Sequence, residues 1–424
     1  MNVNRNELLD ALSLAFRAVD PPRMTAQGTI YSIHADVRYS GGRAPCLEAG
    51  DGTVGLRIPL PAGLVADDAP GMIRRAVLDV LRACAPAEEV EIDGCGRRRE
   101  WHGPPEADGT QPRHPEPPAG DWPGIVIRSG AYEARLWGTT DAQGPDLGFG
   151  AEPVAELAAD ALRAAIKRVD ASANGRGGTG DPSHLAESVT VDVDADARAT
   201  LAITDGHRLY QSGPVGGGVR GTRIAIPRAV LPLLLKAVEY AGVESLEVCP
   251  LPDADGAPTA DVTFRAGEVE VFAFPSRVGS RVLPPDWRTL GKIDAPGAVR
   301  VTAERRAWID ALDSAGAGLP RRMLGIDVAA GPNGCALGAV DPDVGFARVG
   351  VAGATVRGAG ATCALHAYLL AAVKACEPGP VAVAWDTDTG PIRVRCEADA
   401  GGVAVVMPMR RGGASVDAAR RAAA

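Results

Sequence analysis

The chain has 424 residues, 46% of them hydrophobic and 23% charged, a balance that fits folded globular domains and excludes a disordered chain. At about 100–200 residues per domain, two to four domains are expected. The formal net charge of −9 excludes a protein that grips nucleic acid over its whole surface and leaves only a segregated basic face for phosphate contact.

In chain order, "MNVNRNELLDAL" lacks the basic patch and apolar core of a leader peptide. No apolar run approaches the roughly 18 residues that span a bilayer, so a cytoplasmic chain with no membrane contact is expected. The segment 4–19 places Leu8, Leu9, Leu12, Phe16 and Val19 on one helical face, with Asn4 as N-cap and Glu7 suited to the positive end of the helix dipole. A second helix is predicted over 72–84, followed by a Pro-rich polar insertion at 102–121 read as disordered and a hairpin over 124–137. The pattern then returns. A helix over 154–169 carries Leu157, Leu162, Ile166 and Val169 on one face, and strands occupy 187–209. The helix over 226–240 has Pro227 in its first turn and Pro232 placed to kink or shorten it, and a hairpin covers 261–274. In the third round a helix over 302–316 offers Trp308, Ile309 and Leu312, with Thr302 as N-cap; another spans 361–376, and a hairpin spans 391–408. Pro408 has no N–H to extend a ladder, so the strand Val403–Val406 should end before it.

The first helices of the three rounds begin near 5, 154 and 302, at intervals of 149 and 148 residues. Two helices and several antiparallel strands recur three times, which is an α+β class. The units are 1–150, 151–292 and 293–411, with a flexible tail at 412–424.

Most local motifs have a bland reading. "GRGGTG" has the G-x-G-x-x-G spacing but follows a helix and precedes a strand, the reverse of a dinucleotide cradle, so it is a loop. In "ITDGHRLY", Asp205 and His207 have acid–base chemistry, yet no nucleophile is specified nearby, and Asp-Gly makes a hairpin turn. Eight cysteines without a C-x-x-C pair and six scattered histidines nominate no metal site, and no cofactor is called for. The six helical segments carry 13 Lys and Arg against 10 Asp and Glu, a net +3, leaving −12 for the rest. On one surface, that excess would suit sequence-blind phosphate contact.

Three such units, with "TDGHRL" in the second, "PPDWRTL" before the third and "VVMPMR" closing it, resemble the bacterial DNA polymerase III beta sliding clamp over residues 1–411. The resemblance implies a non-catalytic, head-to-tail homodimeric ring of six domains. Its helices would surround double-stranded DNA without reading sequence. It also implies an outer pocket for the polymerase III catalytic subunit, the clamp loader and other clamp-motif proteins. By match to the family, Leu185, Thr204, Gly206, His207, Arg208 and Leu209 form one wall of that pocket. Pro285 and Leu290 stand on the linker side, and Tyr368, Val405, Met407, Pro408, Met409 and Arg410 complete it. Arg23, His184 and Arg228 are the implied DNA contacts, and Arg163, Lys167 and Arg168 join them by helix position. The chain departs from the family in its tail beyond Arg410, in Thr289 where a basic residue is common, and in the small Ala134, Ala317 and Gly318 at the ring-closing edges. These departures fit a specialised paralogue or a mobile-element clamp. The competing readings are a monomeric adaptor that kept only the pocket, and a hydrolase using Asp205 and His207.

Overall fold

All six predicted helices form; the first starts where its Asn4 cap places it, the other five start later than their periodicity suggests, and four of the six are entered directly from a strand. The computed structural model describes residues 2–18, 37–40, 46–50, 54–59, 71–73, 76–84, 89–93, 124–129, 132–137, 151–173, 188–252, 258–274, 298–317, 324–341, 345–397 and 402–409. The helices are α1 (Arg5–Ala15), α2 (Ala76–Ala83), α3 (Ala159–Ala173), α4 (Leu231–Ala241), α5 (Arg305–Ala315) and α6 (His366–Ala375). Strands Asn2–Asn4, Ala155–Ala158, Val299–Glu304 and Gly360–Leu365 end on the residue before α1, α3, α5 and α6. The architecture is α+β with antiparallel sheet. The insertion at 102–121, the "GRGGTG" loop, Gly318 and the tail lie outside the described residues.

The shifted onsets have local causes. Ala155 and Leu157 are buried while Glu156 and Ala158 are exposed, a period of two rather than 3.6. This stretch pairs with Gly216–Gly218, where a Cβ on Gly216 would overlap the Glu156 carbonyl, so glycine permits the approach. Thr302 lies inside a strand, and Glu304 is the N-cap of α5, without a side-chain cap bond. Pro227 closes the strand Arg223–Pro227 instead of opening a helix. Pro232 takes the first turn of α4, where a missing N–H costs nothing, so it kinks nothing. Asn4 caps α1 as expected, its Oδ1 accepting the backbone N–H of Asn6 at 3.0 Å and of Glu7 at 3.3 Å.

The chain folds into two compact units, Met1–Pro153 with Ala229–Gly279, and Val154–Arg228 with Ser280–Ala424. Both divide the second repeat, and both join repeats in one way, through an antiparallel pair of strands. In the first unit, Val54–Pro59 pairs with Val269–Ala273, and Arg57 bridges the seam to Glu270 at 2.7 Å and to its neighbour Glu48 at 3.0 Å. In the second, Arg208–Gln211 pairs with Val403–Val406, which pairs in turn with Ile392–Cys396. Each unit also holds a four-stranded antiparallel sheet. One runs Asn2–Asn4, Glu89–Asp93, Gly124–Ser129, Tyr132–Trp137. The other runs Gly345–Gly350, Gly334–Asp341, Gly325–Gly331, Gly360–Leu365.

A repeated device ties the two helices of a repeat together. Arg5 opens α1 and caps the end of α2, donating from Nε to the Leu81 carbonyl at 2.7 Å and from Nη2 to that of Arg82 at 3.3 Å. Arg305 opens α5 and does the same for α6, to Val373 at 3.3 Å and Lys374 at 2.8 Å. Helix ends leave carbonyls without partners, and a guanidinium fork satisfies two at once while placing positive charge at the negative pole. In the second repeat α3 opens on Ala159 instead of an arginine; α4 ends on Gly242 at φ 63°, in the left-handed conformation that glycine adopts freely. Arg305→Ala should lower the unfolding free energy of the second unit by about 1–2 kcal/mol in urea titrations. Arg305→Lys should recover less than half, since an ammonium cannot fork; full recovery by lysine would reduce the device to charge alone.

Candidate functional site

Asp205 organises the turn between strands Arg198–Thr204 and Arg208–Gln211. Its Oδ1 accepts the backbone N–H of His207 at 2.9 Å and of Arg208 at 2.8 Å, while Oδ2 accepts Arg208 Nε at 2.8 Å. Gly206 sits at φ +84°, which glycine alone adopts without strain. Thr204 Oγ1 closes the turn by donating to the Arg208 carbonyl at 2.7 Å. The carboxylate of Asp205 thus performs the work of an Asx-turn and an ion pair.

The closing strand docks beside this turn. Leu209 stands opposite Val405 and Arg208 opposite Val406. Strand pairing stops at Val406, as Pro408 requires, but the backbone stays anchored: the Met407 N–H donates to the His207 carbonyl at 2.8 Å and the Met409 N–H to that of Cys363 at 2.9 Å. Leu209 is buried in a cluster with Ala202, Val403 and Val405. Met407 is 43% exposed, one of few large apolar side chains so placed among the described residues.

Helix α6 supplies Tyr368, whose ring carries two of the turn residues. The Arg208 guanidinium lies 4.6 Å from the ring centroid, and His207 stacks on it at 6.3 Å between centroids and 26° between planes. Burial pushes the Tyr368 phenol up, with Asp205 adding to the shift and Arg208 opposing it. Arg208 Nη1 is buried with no hydrogen-bond partner. Thr204, Gly206, His207, Arg208, Leu209, Tyr368, Val405, Met407, Pro408 and Met409 therefore meet in one unit. Leu185, Pro285, Leu290 and Arg410 lie outside the described residues. Asp205 is the organising residue that the pocket reading omitted; the Asp-Gly pair was its only local signal.

The Caulobacter crescentus DNA polymerase sliding clamp matches at 18% identity and TM-score 0.69, that of Bacillus subtilis at 17% and 0.68, and that of Pseudomonas aeruginosa at 16% and 0.71; each match covers 97% of this chain and 99% of the other. The chain has the sliding-clamp fold. No family model matches the sequence, and no curated protein matches it either.

On this clamp fold the helices carry nine Lys and Arg against eight Asp and Glu. The +3 excess shrinks because Arg17, Arg74, Arg75 and Arg228 fall outside the helix bounds, against Glu156 and Glu304 among the acids; Arg228 lies in the short 3-10 turn Arg228–Val230, half-buried. Arg163 pairs with Asp160 at 2.8 Å, and Arg168 is turned inward, its side chain 11% exposed and 3.7 Å from Glu377. Lys167 is exposed. Arg23 and His184 lie outside the described residues. Ala134 is half-buried in the strand Tyr132–Trp137, and Ala317 is exposed just past α5.

Burial pushes the Cys249 thiol up to about 11 and those of Cys335 and Cys376 up to about 12, so these three remain protonated at neutral pH. Among the described residues no cluster of His, Cys, Asp and Glu has the makings of a metal site, and no helix is long and apolar enough to cross a membrane.

Proposed function

We propose that this chain is a sliding clamp: a homodimeric ring of three tandem domains per chain (1–150, 151–292, 293–411) that encircles duplex DNA and tethers a polymerase and other partners. The observation that carries this is the fold itself, matched to clamps over 97% of the chain. It is supported by the meeting of turn 204–209 with the closing residues 403–409, which produces a buried leucine, an aromatic platform and a half-exposed methionine on one surface. Such a surface suits short apolar peptide motifs with one or two anchors. In this reading the protein is a non-catalytic accessory subunit, and Asp205 is a turn residue, not an acid–base group.

Assembly is supported by two open sheet edges. Among the described residues, Gly345–Gly350 pairs only with Gly334–Asp341, and Tyr132–Trp137 only with Gly124–Ser129. Phe346 on the first edge is 79% exposed. Open edges present unpaired backbone groups, and head-to-tail addition between two copies would satisfy both. Light scattering should give about twice 43.6 kDa at micromolar concentration. After loading, the protein should stay on nicked circular plasmid and leave once the plasmid is cut. A monomer at every concentration would overturn the ring and favour the adaptor; tight, sequence-selective binding to a short linear duplex would overturn enclosure.

A further inference from the structure

The helices of both units hold most of their cations in local pairs. Arg82 meets Asp79 at 3.3 Å on α2, Arg163 meets Asp160 at 2.8 Å on α3, and Arg306 meets Asp310 at 2.9 Å on α5. Lys236 pairs with Glu239 on α4, and Lys374 of α6 reaches Asp313 of α5 at 3.9 Å. Arg5 and Arg305 are engaged as carbonyl caps and Arg168 by Glu377. Of the nine helical cations, Lys167 alone has no carboxylate within 4.0 Å and no carbonyl to cap among the described residues. The five paired carboxylates that belong to helices are each at least 47% exposed, so each stands at the protein surface.

We infer that Asp79, Asp160, Glu239, Asp310 and Asp313 set the affinity of the helices for duplex DNA, and that Lys167 is the phosphate contact they leave free. This rests on the reading that the helices face DNA. A phosphate approaching Arg163 must compete with a carboxylate already at hydrogen-bond distance and is repelled by it. One approaching Lys167 displaces only water and salt. Affinity for duplex DNA grows with the counterions released per phosphate neutralised, with a slope of about −0.9 per contact in log K against log salt. Cations already neutralised by a neighbouring carboxylate contribute little to that slope. A surface built this way holds duplex loosely, as a ring that must slide requires, and the acids are what keep it loose.

The test uses the full chain and a short linear duplex, with fluorescence anisotropy at salt concentrations from about 50 to 200 mM. Lys167→Ala should flatten the salt slope by about one unit, and Arg163→Ala by much less. The five-site variant D79N/D160N/E239Q/D310N/D313N should bind at least tenfold more tightly at the lowest salt, with a slope steeper by two units or more. Asp160→Asn alone should make Arg163→Ala as damaging as Lys167→Ala, which keeps the inference testable if the five-site variant misfolds. Equal effects of Lys167→Ala and Arg163→Ala in the parent chain would overturn it, as would a five-site variant that binds like the parent. Retention on nicked circles is scored in parallel. Retention with unchanged slopes sinks this inference and leaves the ring standing. Steeper slopes without any circle-over-linear preference sink the ring and support the charge account.

Discussion

Trp308→Ala should be among the most destabilising single substitutions in this chain, costing about 3–5 kcal/mol. Trp308 is fully enclosed at 0% exposure, and its indole N–H donates to the Val381 carbonyl at 3.2 Å. Truncation removes the apolar contact, leaves a cavity and breaks the bond that ties α5 to the strand Pro380–Trp385. Little nearby can collapse into the space. The far end of α5 is held by buried His366, whose Nε2–H donates to the Leu312 carbonyl at 2.9 Å, and a Cβ on Gly316 would come within 2.9 Å of that same nitrogen. Its start is held by the Arg305 fork. Far-UV circular dichroism in urea should show the loss as an early transition of the second unit. Trp308→Phe, which keeps most of the volume and loses the hydrogen bond, should cost less than half as much. A change below about 1 kcal/mol for the alanine variant would remove Trp308 from the core.

The repeat was legible because helical periodicity survives wherever a helix has one buried face; Leu8, Leu12, Leu162, Ile166, Trp308 and Leu312 are all buried. Where α3 starts was not legible, because a stretch as short as Ala155–Ala158 satisfies a strand and a helix equally. What decides for strand is a partner far along the chain, the glycines at 216–218. The two arginine forks were invisible for the same reason: Arg5 and Arg305 look like ordinary first-turn cations until the ends of α2 and α6 arrive. In the candidate site, the turn and the end of the last strand were written locally, in Asp-Gly and in Pro408. Tyr368 under Arg208 was not, since no local rule brings the flank of a helix onto a distant turn. The charge on the helices misled in a similar way. A count over segments cannot show that six of the cations are already matched to carboxylates.

Replacing both Leu209 and Met407 with alanine should weaken binding of a clamp-motif peptide bearing Leu and Phe anchors by about a hundredfold. Each peptide anchor gains roughly 1.5–3 kcal/mol on leaving water for this surface, and about 1.4 kcal/mol is a decade of affinity; Met407 would supply contact area for the anchors and Leu209, already buried, the packing beneath them. The two residues test different things. Leu209 is packed with Ala202, Val403 and Val405 across the seam between repeats, so Leu209→Ala also loosens the strand pairing that positions the surface. Met407 is 43% exposed, and its backbone is pinned to His207 whatever its side chain. Met407→Ala therefore reports on peptide contact alone: about tenfold weaker binding with an unchanged unfolding transition. Tyr368→Phe supplies the contrast, keeping the ring that carries Arg208 and His207 and leaving peptide affinity within about twofold. Calorimetry with the peptide and the full chain measures all of these, while light scattering and plasmid retention should not move, because in the proposed ring those properties rest on sheet edges and helices. If Met407→Ala binds the peptide as tightly as the parent chain, the surface built by the turn and the closing strand is not where partners dock.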